Sequence, residues 1–294
     1  ITKGSVIAMK IKDLLAQDKV TLSCEIFPPK KADSFKGIFQ IVDSINQLGV
    51  DFISVTYGAG GSTSKKTVEV ASYIQNTCGT PALAHLTCCD STREQIRDRL
   101  SQLRESGIEN ILALRGDKPD GFVEGGPYTY AVDLIQDIRS QGDFCIGGAC
   151  YPEGHVECAH KHEDIGHLKE KVEAGCDFLT TQMFFDNNVY YNFLYRILSA
   201  GIQVPVIPGI MPVTNSRQIK RSCELSGATL PPRFRAIADK FGDDSQAMEQ
   251  AGIAYATEQV IDLIANGITC IHLYTMNRPQ IAGKIVENLS YILR

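Results

Sequence analysis

The chain has 294 residues, of which 44% are hydrophobic and 21% charged, and its 29 basic and 34 acidic side chains leave a net charge of -5. That balance belongs to an ordinary folded globular protein and excludes a disordered chain; the small negative charge excludes a binder of phosphate backbones, so nucleic acid is not an expected partner. No run approaches the roughly 18 to 20 unbroken apolar residues of a membrane helix and no charged-then-apolar leader opens the chain, so neither a membrane nor export is expected and the cytoplasm is the expected compartment.

Residues 1–8 read as a remnant ahead of a natural start at Met9, and 9–294 as a single domain. The first apolar run is VTLSCEIF at 20–27. A helical pattern follows, with Phe35, Ile38, Val42, Ile45 and Leu48 three or four apart, and it ends at Gly49 just before a second apolar run, DFISVTY. The same handover recurs at Gly79 before ALAHLT, Gly107 before NILALRG, Gly142 before FCIGGACY, Gly175 before DFLTTQ, Gly201 before VPVIPGI and Gly267 before TCIHLYT. A residue that closes a helix often needs positive φ, which glycine adopts without a Cβ penalty.

The intervals between these glycines are 30, 28, 35, 33, 26 and 66 residues. About 30 residues make one strand, one helix and their turns, so the 66 is a unit with an insertion that includes a helix over 246–265. Eight short runs, apolar on both faces and separated by helices, predict parallel strands covered by helices. The expected fold is an α/β (β/α)8 TIM barrel with extra helices between the seventh helix and the eighth strand; an open doubly wound sheet is the rival.

Chemistry in such a barrel sits at the carboxyl ends of the strands. Those ends carry Glu25, Thr56 with Tyr57, His85, Arg115 with Asp117, Tyr151 with Glu153 and His155, Gln182, and Tyr274 with Arg278; the seventh strand ends in Pro208, Gly209 and Ile210, which offer only backbone groups. Glu25 is flanked by Cys24, Ile26 and Phe27, an apolar setting that disfavours a charged carboxylate and suits a general acid; pairing with an arginine is the structural alternative. Arg115 is suited to a phosphate or an ion pair, Gly116 to a close backbone approach, and Asp117 to accepting hydrogen bonds from a heterocycle. YGAGGS at 57–62 is neither GxGxxG nor a P-loop and reads as a tight βα loop. His85, inside ALAHLT, reads on its own as a core histidine.

His155, His160, His162 and His167 stand among Glu153, Glu157, Glu163 and Asp164, without HExxH or zinc spacing, so polar binding-loop duty is expected and no metal. Ten cysteines, with no CxxC pair, are expected to pack as free, small hydrophobes.

Taken together, EIFPP at 25–29, VTYGAGGS at 55–62, HLTC at 85–88, ALRGD at 113–117, YPEGH at 151–155, TQMFFD at 181–186, PGIMPV at 208–213 and LYTMNR at 273–278 resemble the 5,10-methylenetetrahydrofolate reductase family in its short, catalytic-barrel form. The resemblance covers about residues 20–290. It implies a barrel holding FAD, reduced by NADH or NADPH in a ping-pong reaction whose second half converts methylenetetrahydrofolate to 5-methyltetrahydrofolate, as used in methionine biosynthesis. It implies Glu25 as the general acid and Asp117 as a second catalytic group beside flavin and pterin. Gln182, Gln218 and Arg278 match substrate contacts. Tyr57, Ala59, His85, Arg115, Gly116, Asp117, Ala131, Tyr151, His155, Asp164 and Lys171 match the flavin shell, with Thr56 near the nicotinamide.

Four positions depart from the family pattern. Cys158, His167 and Glu170 replace alanine, asparagine and arginine in the segment facing the FAD phosphates and adenosine, and Ser222 replaces an aromatic residue that stacks on folate or nicotinamide in some members. An alternative therefore stays open, in which the chain is the flavin subunit of a larger complex and takes electrons from a partner protein. A flavin-free barrel, such as an aldolase or a pterin-dependent methyl transferase, is a weaker rival, since no strand end carries the lysine an aldolase needs. The family resemblance also implies a homo-oligomer.

Overall fold

The computed structural model describes residues 9–28, 35–57, 64–118, 126–158 and 160–293, without the side chains of Ser64, Lys161, Gln218, Lys220, Arg221 and Leu225. Strands β1 (Thr21–Ile26), β2 (Phe52–Val55), β3 (Ala82–Thr87), β4 (Asn110–Leu114), β5 (Cys145–Cys150) and β6 (Phe178–Thr181) are followed by two short pieces, β7 (Val206–Ile207) and β8 (Gly209–Ile210), and by β9 (Cys270–Tyr274). All are parallel, in the order β7-β6-β5-β4-β3-β2-β1-β9-β8.

The two ends of that order are one segment of chain. β7 pairs with β6 through Leu179 and Val206, and two residues later β8 pairs with β9 through Gly209 and His272. Pro208 has no N–H to give a ladder, which divides the strand, but its carbonyl still accepts from His272 N at 3.0 Å. The eight expected strands are all present, and the ring closes as a (β/α)8 barrel rather than opening as a doubly wound sheet.

The glycine pattern is explained by backbone geometry. Gly49, Gly79, Gly107, Gly142, Gly175, Gly201 and Gly267 all have positive φ, from 74° to 148°. The helices carry their apolar stripes as the spacing predicts. α2 (Phe35–Asn46) buries Ile38, Val42 and Ile45, α4 (Arg93–Glu105) buries Ile96, Leu100 and Leu103, and α5 (Ala131–Gln141) buries Leu134 and Ile138. α4 starts at a capping box in which Thr92 and Gln95 satisfy each other's backbone N–H groups.

The preceding short helix is α1 (Ile11–Leu15); α3 (Ser64–Tyr73) runs on into a π turn, and α6 (Lys161–Glu173) and α7 (Asn187–Ser199) follow β5 and β6. The long glycine interval holds α8 (Ser216–Ser226), α9 (Pro232–Phe241) and α10 (Ser245–Ala265), and α11 (Pro279–Asn288) comes last. α10 is tied to α7 by Tyr191 and Asn187, both bonded to Asp262 at 2.7 Å, and to α11 by the Glu249–Lys284 ion pair. It therefore stands in the outer ring of helices.

Inside the ring, period-two alternation separates a floor from a mouth. Phe52, Leu83, Leu112, Cys145, Phe178, Ile207 and Cys270 form an apolar floor with Ile11 and Leu14 of α1. Gly147 leaves space there: a Cβ on it would stand 2.5 Å from the Phe178 ring. α1 is a plug. Ile11 N donates to Asn110 Oδ1 at 2.8 Å, and Asn110 Nδ2 donates to Met9 O at 3.2 Å.

Six cysteines, Cys24, Cys88, Cys145, Cys150, Cys176 and Cys270, are buried, and all ten are free. Burial pushes the Cys24 and Cys270 thiols up to about 12, so they pack as inert small side chains. Among the described residues no helix is long and apolar enough to cross a membrane.

If α1 seals the floor, Leu14→Ala should cost about 2–3 kcal/mol, the lower part of the range for a buried leucine. The urea midpoint measures it; a loss below about 0.5 kcal/mol, typical of a surface site, would mean that α1 is only appended.

Candidate active site

A cavity of about 1080 Å³ opens at the carboxyl ends of the strands. Its walls follow the alternation: Glu25 from β1, Ser54 from β2, His85 from β3, Leu112 from β4, Ala149 from β5, Thr180 from β6, and His272 and Tyr274 from β9. Leu83 and Leu112 belong both to the cavity and to the floor, so the cavity rests directly on the apolar layer.

Glu25 is 8% exposed, and among the described residues neither a lysine nor an arginine pairs with it. The arginine-paired alternative is absent there. Its neighbours are two imidazoles: His85 Nε2 at 3.6 Å and His272 Nε2 at 3.9 Å from Oε2. Burial pushes His85 down to about 4, with Glu25 opposing and His272 reinforcing the shift, so at neutral pH it is uncharged. Its Nε2 has no hydrogen-bond partner among the described residues.

The loop after β9 fixes the backbone around this acid. Thr275 Oγ1 donates to Glu25 O at 2.6 Å, and Asn277 clasps Phe27, accepting from its N at 2.8 Å and donating to its O at 3.0 Å. Met276 and Asn277 have φ of 51° and 57°, the only positive values outside glycine among the described residues. Asn tolerates that region because its side chain bonds locally. Tyr274 crosses from β9 to donate its hydroxyl to Thr181 O at 2.6 Å, and burial holds that phenol well above its ordinary pKa. The crossing requires Gly209, since a Cβ there would lie 2.5 Å from the tyrosine ring.

The ALRGD turn forms the next part of the wall. Arg115 O accepts from Cys88 N at 3.1 Å and Cys89 N at 2.8 Å, and its guanidinium grips Glu157 with two bonds of 2.7 Å. Gly116 has φ 88°, and a Cβ on it would press to 3.0 Å from Thr87. Asp117 is exposed at the rim, where its carbonyl accepts from Cys89 Sγ at 3.1 Å. Beyond it, Tyr151 and His155 meet edge to face at 4.5 Å. Burial pushes Tyr151 up to about 12; burial, then Arg115, lowers His155. Lys171 donates to Ala149 O at 3.1 Å and is lowered by burial, partly countered by Cys150, Cys176 and Asp164.

Thr56, Tyr57, Ala131, Asp164 and Gln182 also line the cavity. Of the predicted residues, then, Glu25, Thr56, Tyr57, His85, Arg115, Gly116, Asp117, Ala131, Tyr151, His155, Asp164, Lys171 and Gln182 come together. Ala59 lies outside the described residues, and Gln218 lies on α8 with its side chain outside them. Arg278 is placed elsewhere. It donates to Thr214 Oγ1 and Glu249 Oε2, both at 2.6 Å, and lines a second cleft with Lys284.

The four departing positions, Cys158, His167, Glu170 and Ser222, all line the main cavity. His160, His162 and His167 are exposed on or beside α6, away from a common centre, and among the described residues no three His, Cys, Asp or Glu side chains gather as a metal-ligating group. Sequence reading missed His272 and Ser54, hidden in apolar runs. Counting every second residue back from Tyr274 and from Thr56 would have found both.

A closed parallel barrel with a deep mouth lined by an acid, imidazoles and an Arg-Gly-Asp turn is of the (β/α)8 class that builds its sites from strand ends. The methylenetetrahydrofolate reductase family model matches residues 10–290. A 5,10-methylenetetrahydrofolate reductase of Escherichia coli (strain K12) is 35% identical over 273 residues, spanning 93% of this chain and 92% of that protein. The chain belongs to the methylenetetrahydrofolate reductase family.

Methylenetetrahydrofolate reductase (NADH) 1 of Arabidopsis thaliana is 38% identical over 299 residues, 96% of this chain and 50% of that protein, so the chain spans about half the length of such plant relatives. Among solved structures, an uncharacterized protein from Clostridium thermocellum that binds two copies of 5-methyl-5,6,7,8-tetrahydrofolic acid shares the fold, with a TM-score of 0.63 at 15% identity over 97% of this chain and 100% of that one. Dihydropteroate synthase from Xanthomonas albilineans shares it too, with a TM-score of 0.52 at 14% identity over 94% and 95% of the two chains.

The lowered pKa of His85 makes a stability prediction. Between about 4 and 6.5 the unfolded chain binds the proton that the folded imidazole refuses, so stability falls as pH drops through that window. Urea unfolding at pH 7 and pH 4.5 should show the parent losing about 2–3 kcal/mol more than His85→Gln. Equal losses would show that His85 is not held neutral.

Proposed function

We propose that this chain reduces 5,10-methylenetetrahydrofolate to 5-methyltetrahydrofolate with FAD as cofactor and NADH or NADPH as donor. The observation that carries this reading is Glu25, a buried carboxyl free of any arginine or lysine among the described residues, standing in the same cavity as Asp117. The residues present fit the cofactor. His85 Nε2 is a buried polar atom without a partner among the described residues, the turn at Gly116 admits close backbone approach, and about 1080 Å³ exceeds the roughly 300–1000 Å³ of ordinary small-molecule pockets.

Tyr57, His85, Arg115, Gly116, Ala131, Tyr151, His155, Asp164 and Lys171 would hold FAD, with Thr56 near the nicotinamide. When bound, it supplies the ping-pong relay of two electrons, accepting a hydride from the nicotinamide and passing one to the folate's one-carbon unit. Glu25 donates a proton to the nitrogen that departs as the folate's five-membered ring opens to an iminium ion. Among the described residues no lysine or arginine pairs with the carboxyl to pull that proton away, and His85 beside it is uncharged. Asp117, at the rim, stabilises the iminium by its negative charge. Gln182 contacts folate and nicotinamide in turn.

The plant relative's name specifies NADH, which favours that donor. A partner protein as the reductant is the second reading, supported by Ser222, a small residue in the cavity wall where some members carry a stacking aromatic. Anaerobic rapid mixing with NADH and NADPH separately tests donor and cofactor together. A yellow enzyme bleached by either nicotinamide alone is expected. A colourless protein overturns the flavin, and a yellow one that neither donor bleaches moves the reading to the partner.

Glu25→Gln should keep flavin reduction and slow folate reduction by about 10²- to 10⁴-fold, the usual worth of a positioned acid. Normal turnover would assign the proton to another group. Asp117→Asn should slow both half-reactions, and an effect confined to one would remove its shared role.

A further inference from the structure

Tyr130 and His167 have no part in the mechanism above, yet both line the main cavity. Tyr130 caps the start of α5, and His167 stands in the middle of α6. Their rings are nearly parallel, with centroids 6.3 Å apart and planes inclined by 16°. Tyr130 is 58% exposed and the His167 side chain 62%, so neither ring is packed into the core. The backbone beneath Tyr130 is held, because Thr129 N and Tyr130 N both donate to Asp133 Oδ2, at 2.8 and 2.9 Å. One turn beyond the histidine, Glu170 Oε2 lies 3.5 Å from His167 Nδ1.

A flat ring sandwiched between two others needs about 7 Å between the outer planes, twice the contact distance of roughly 3.5 Å between carbon atoms. The pair stands a little short of that. Two exposed side chains on held backbones make up the difference by rotation about their χ angles.

We propose that Tyr130 and His167 are the two faces of a clamp for the adenine base of FAD, and that Glu170 reads the exocyclic amine of that base. This rests on the reading of FAD as the cofactor. Stacking holds any flat base, since each has a π-face, so an edge contact has to fix which base and which orientation. A carboxylate only accepts and the adenine amine donates, so the two are matched. Beside the pyrophosphate the same carboxylate would only repel. Arg115 and Lys171 are the cations of this wall that suit the phosphates.

A nicotinamide donor also carries adenine. The clamp is assigned to FAD because Tyr130 adjoins Ala131, and Glu170 adjoins Lys171, and both neighbours belong to the proposed flavin shell.

The test compares the parent with Tyr130→Ala, His167→Ala, His167→Phe and Glu170→Ala. The full chain, freed of flavin, is titrated by calorimetry with FAD, with FMN, which lacks the adenylate half, and with an FAD analogue that carries unsubstituted purine in place of adenine. Each alanine variant of the clamp should bind FAD about 5- to 150-fold more weakly, the usual worth of one stacking face, with its affinity for FMN unchanged. His167→Phe, which keeps a flat ring, should stay near the parent. The parent should favour FAD over the purine analogue by about 2- to 10-fold, the worth of one hydrogen bond, and Glu170→Ala should bind the two alike.

Equal FAD affinity in the parent and both clamp variants overturns the clamp. A matching loss for FMN overturns it too, because the damage then lies at the flavin end. Equal affinity of the parent for FAD and the purine analogue overturns the part given to Glu170. Holoprotein titrated with NAD+ separates the two sources of adenine: weaker binding there in His167→Ala, with FAD affinity intact, moves the clamp to the nicotinamide and overturns its assignment. Should the flavin-free chain not stay folded, the rates of flavin release from diluted FAD-loaded and FMN-loaded protein decide by the same comparisons. A parent that takes up neither FAD nor FMN overturns the cofactor, and this inference with it.

Discussion

Closure of the strand ring is the constraint on which everything else depends. Once β7 and β8, two pieces of one segment, pair with β6 on one side and β9 on the other, no inward side chain has a route to solvent except through the mouth. An inward residue must then be apolar, be hydrogen-bonded, or bear on whatever enters the cavity, because a buried polar group without a partner is costly. The lower layer takes the first course with Phe52, Leu83, Leu112 and Phe178. The middle takes the second, in Ser23 and His272. The upper layer takes the third, where Glu25 stands with the Nε2 of His85, which has no hydrogen-bond partner among the described residues.

The first and last strands of the ring are neighbours, and the loop between β9 and α11 turns that adjacency into precision. Thr275 and Asn277 bind the backbone of Glu25 and Phe27 from the far end of the sequence, at the expense of two residues in the left-handed region. Strained backbone persists only where its surroundings over-determine it. Here the surroundings are the two bonds to Phe27, and the effect is to fix the acid's strand relative to His272 and Tyr274. Gly209 completes the arrangement by leaving room for the tyrosine that closes the wall.

Electrostatically the mouth is divided. Around Glu25 lie two imidazoles, and no lysine or arginine among the described residues pairs with it. Toward the rim lie charged ones: Arg115 gripped by Glu157, Asp117, Lys171, Asp164 and the departing Glu170. A cavity with a neutral inner end and a charged outer end suits an elongated ligand with a reactive head and an ionic tail. Arg278 stands outside this division, bound to Glu249 at a separate cleft.

Much of this was legible beforehand, and for identifiable reasons. A helix that ends and turns sharply into a strand needs a residue at positive φ, so seven glycines marked seven such handovers, and local backbone sterics alone enforce that. Strand ends in such a barrel are functional by geometry, so Glu25, His85, Arg115 and Gln182 could be picked out in the chain. His272 and Ser54 escaped because each sits in an apolar run and acquires its neighbours from strands remote in sequence: His272 lies 249 residues from Ser23. The sequence by itself determined the elements and their order, and it put Glu25 at the carboxyl end of the first strand. Only the tertiary structure decided that the ring closes at Pro208, that Arg115 meets Glu157, and which imidazoles surround the acid, because those depend on through-space distances across the barrel that no local spacing encodes.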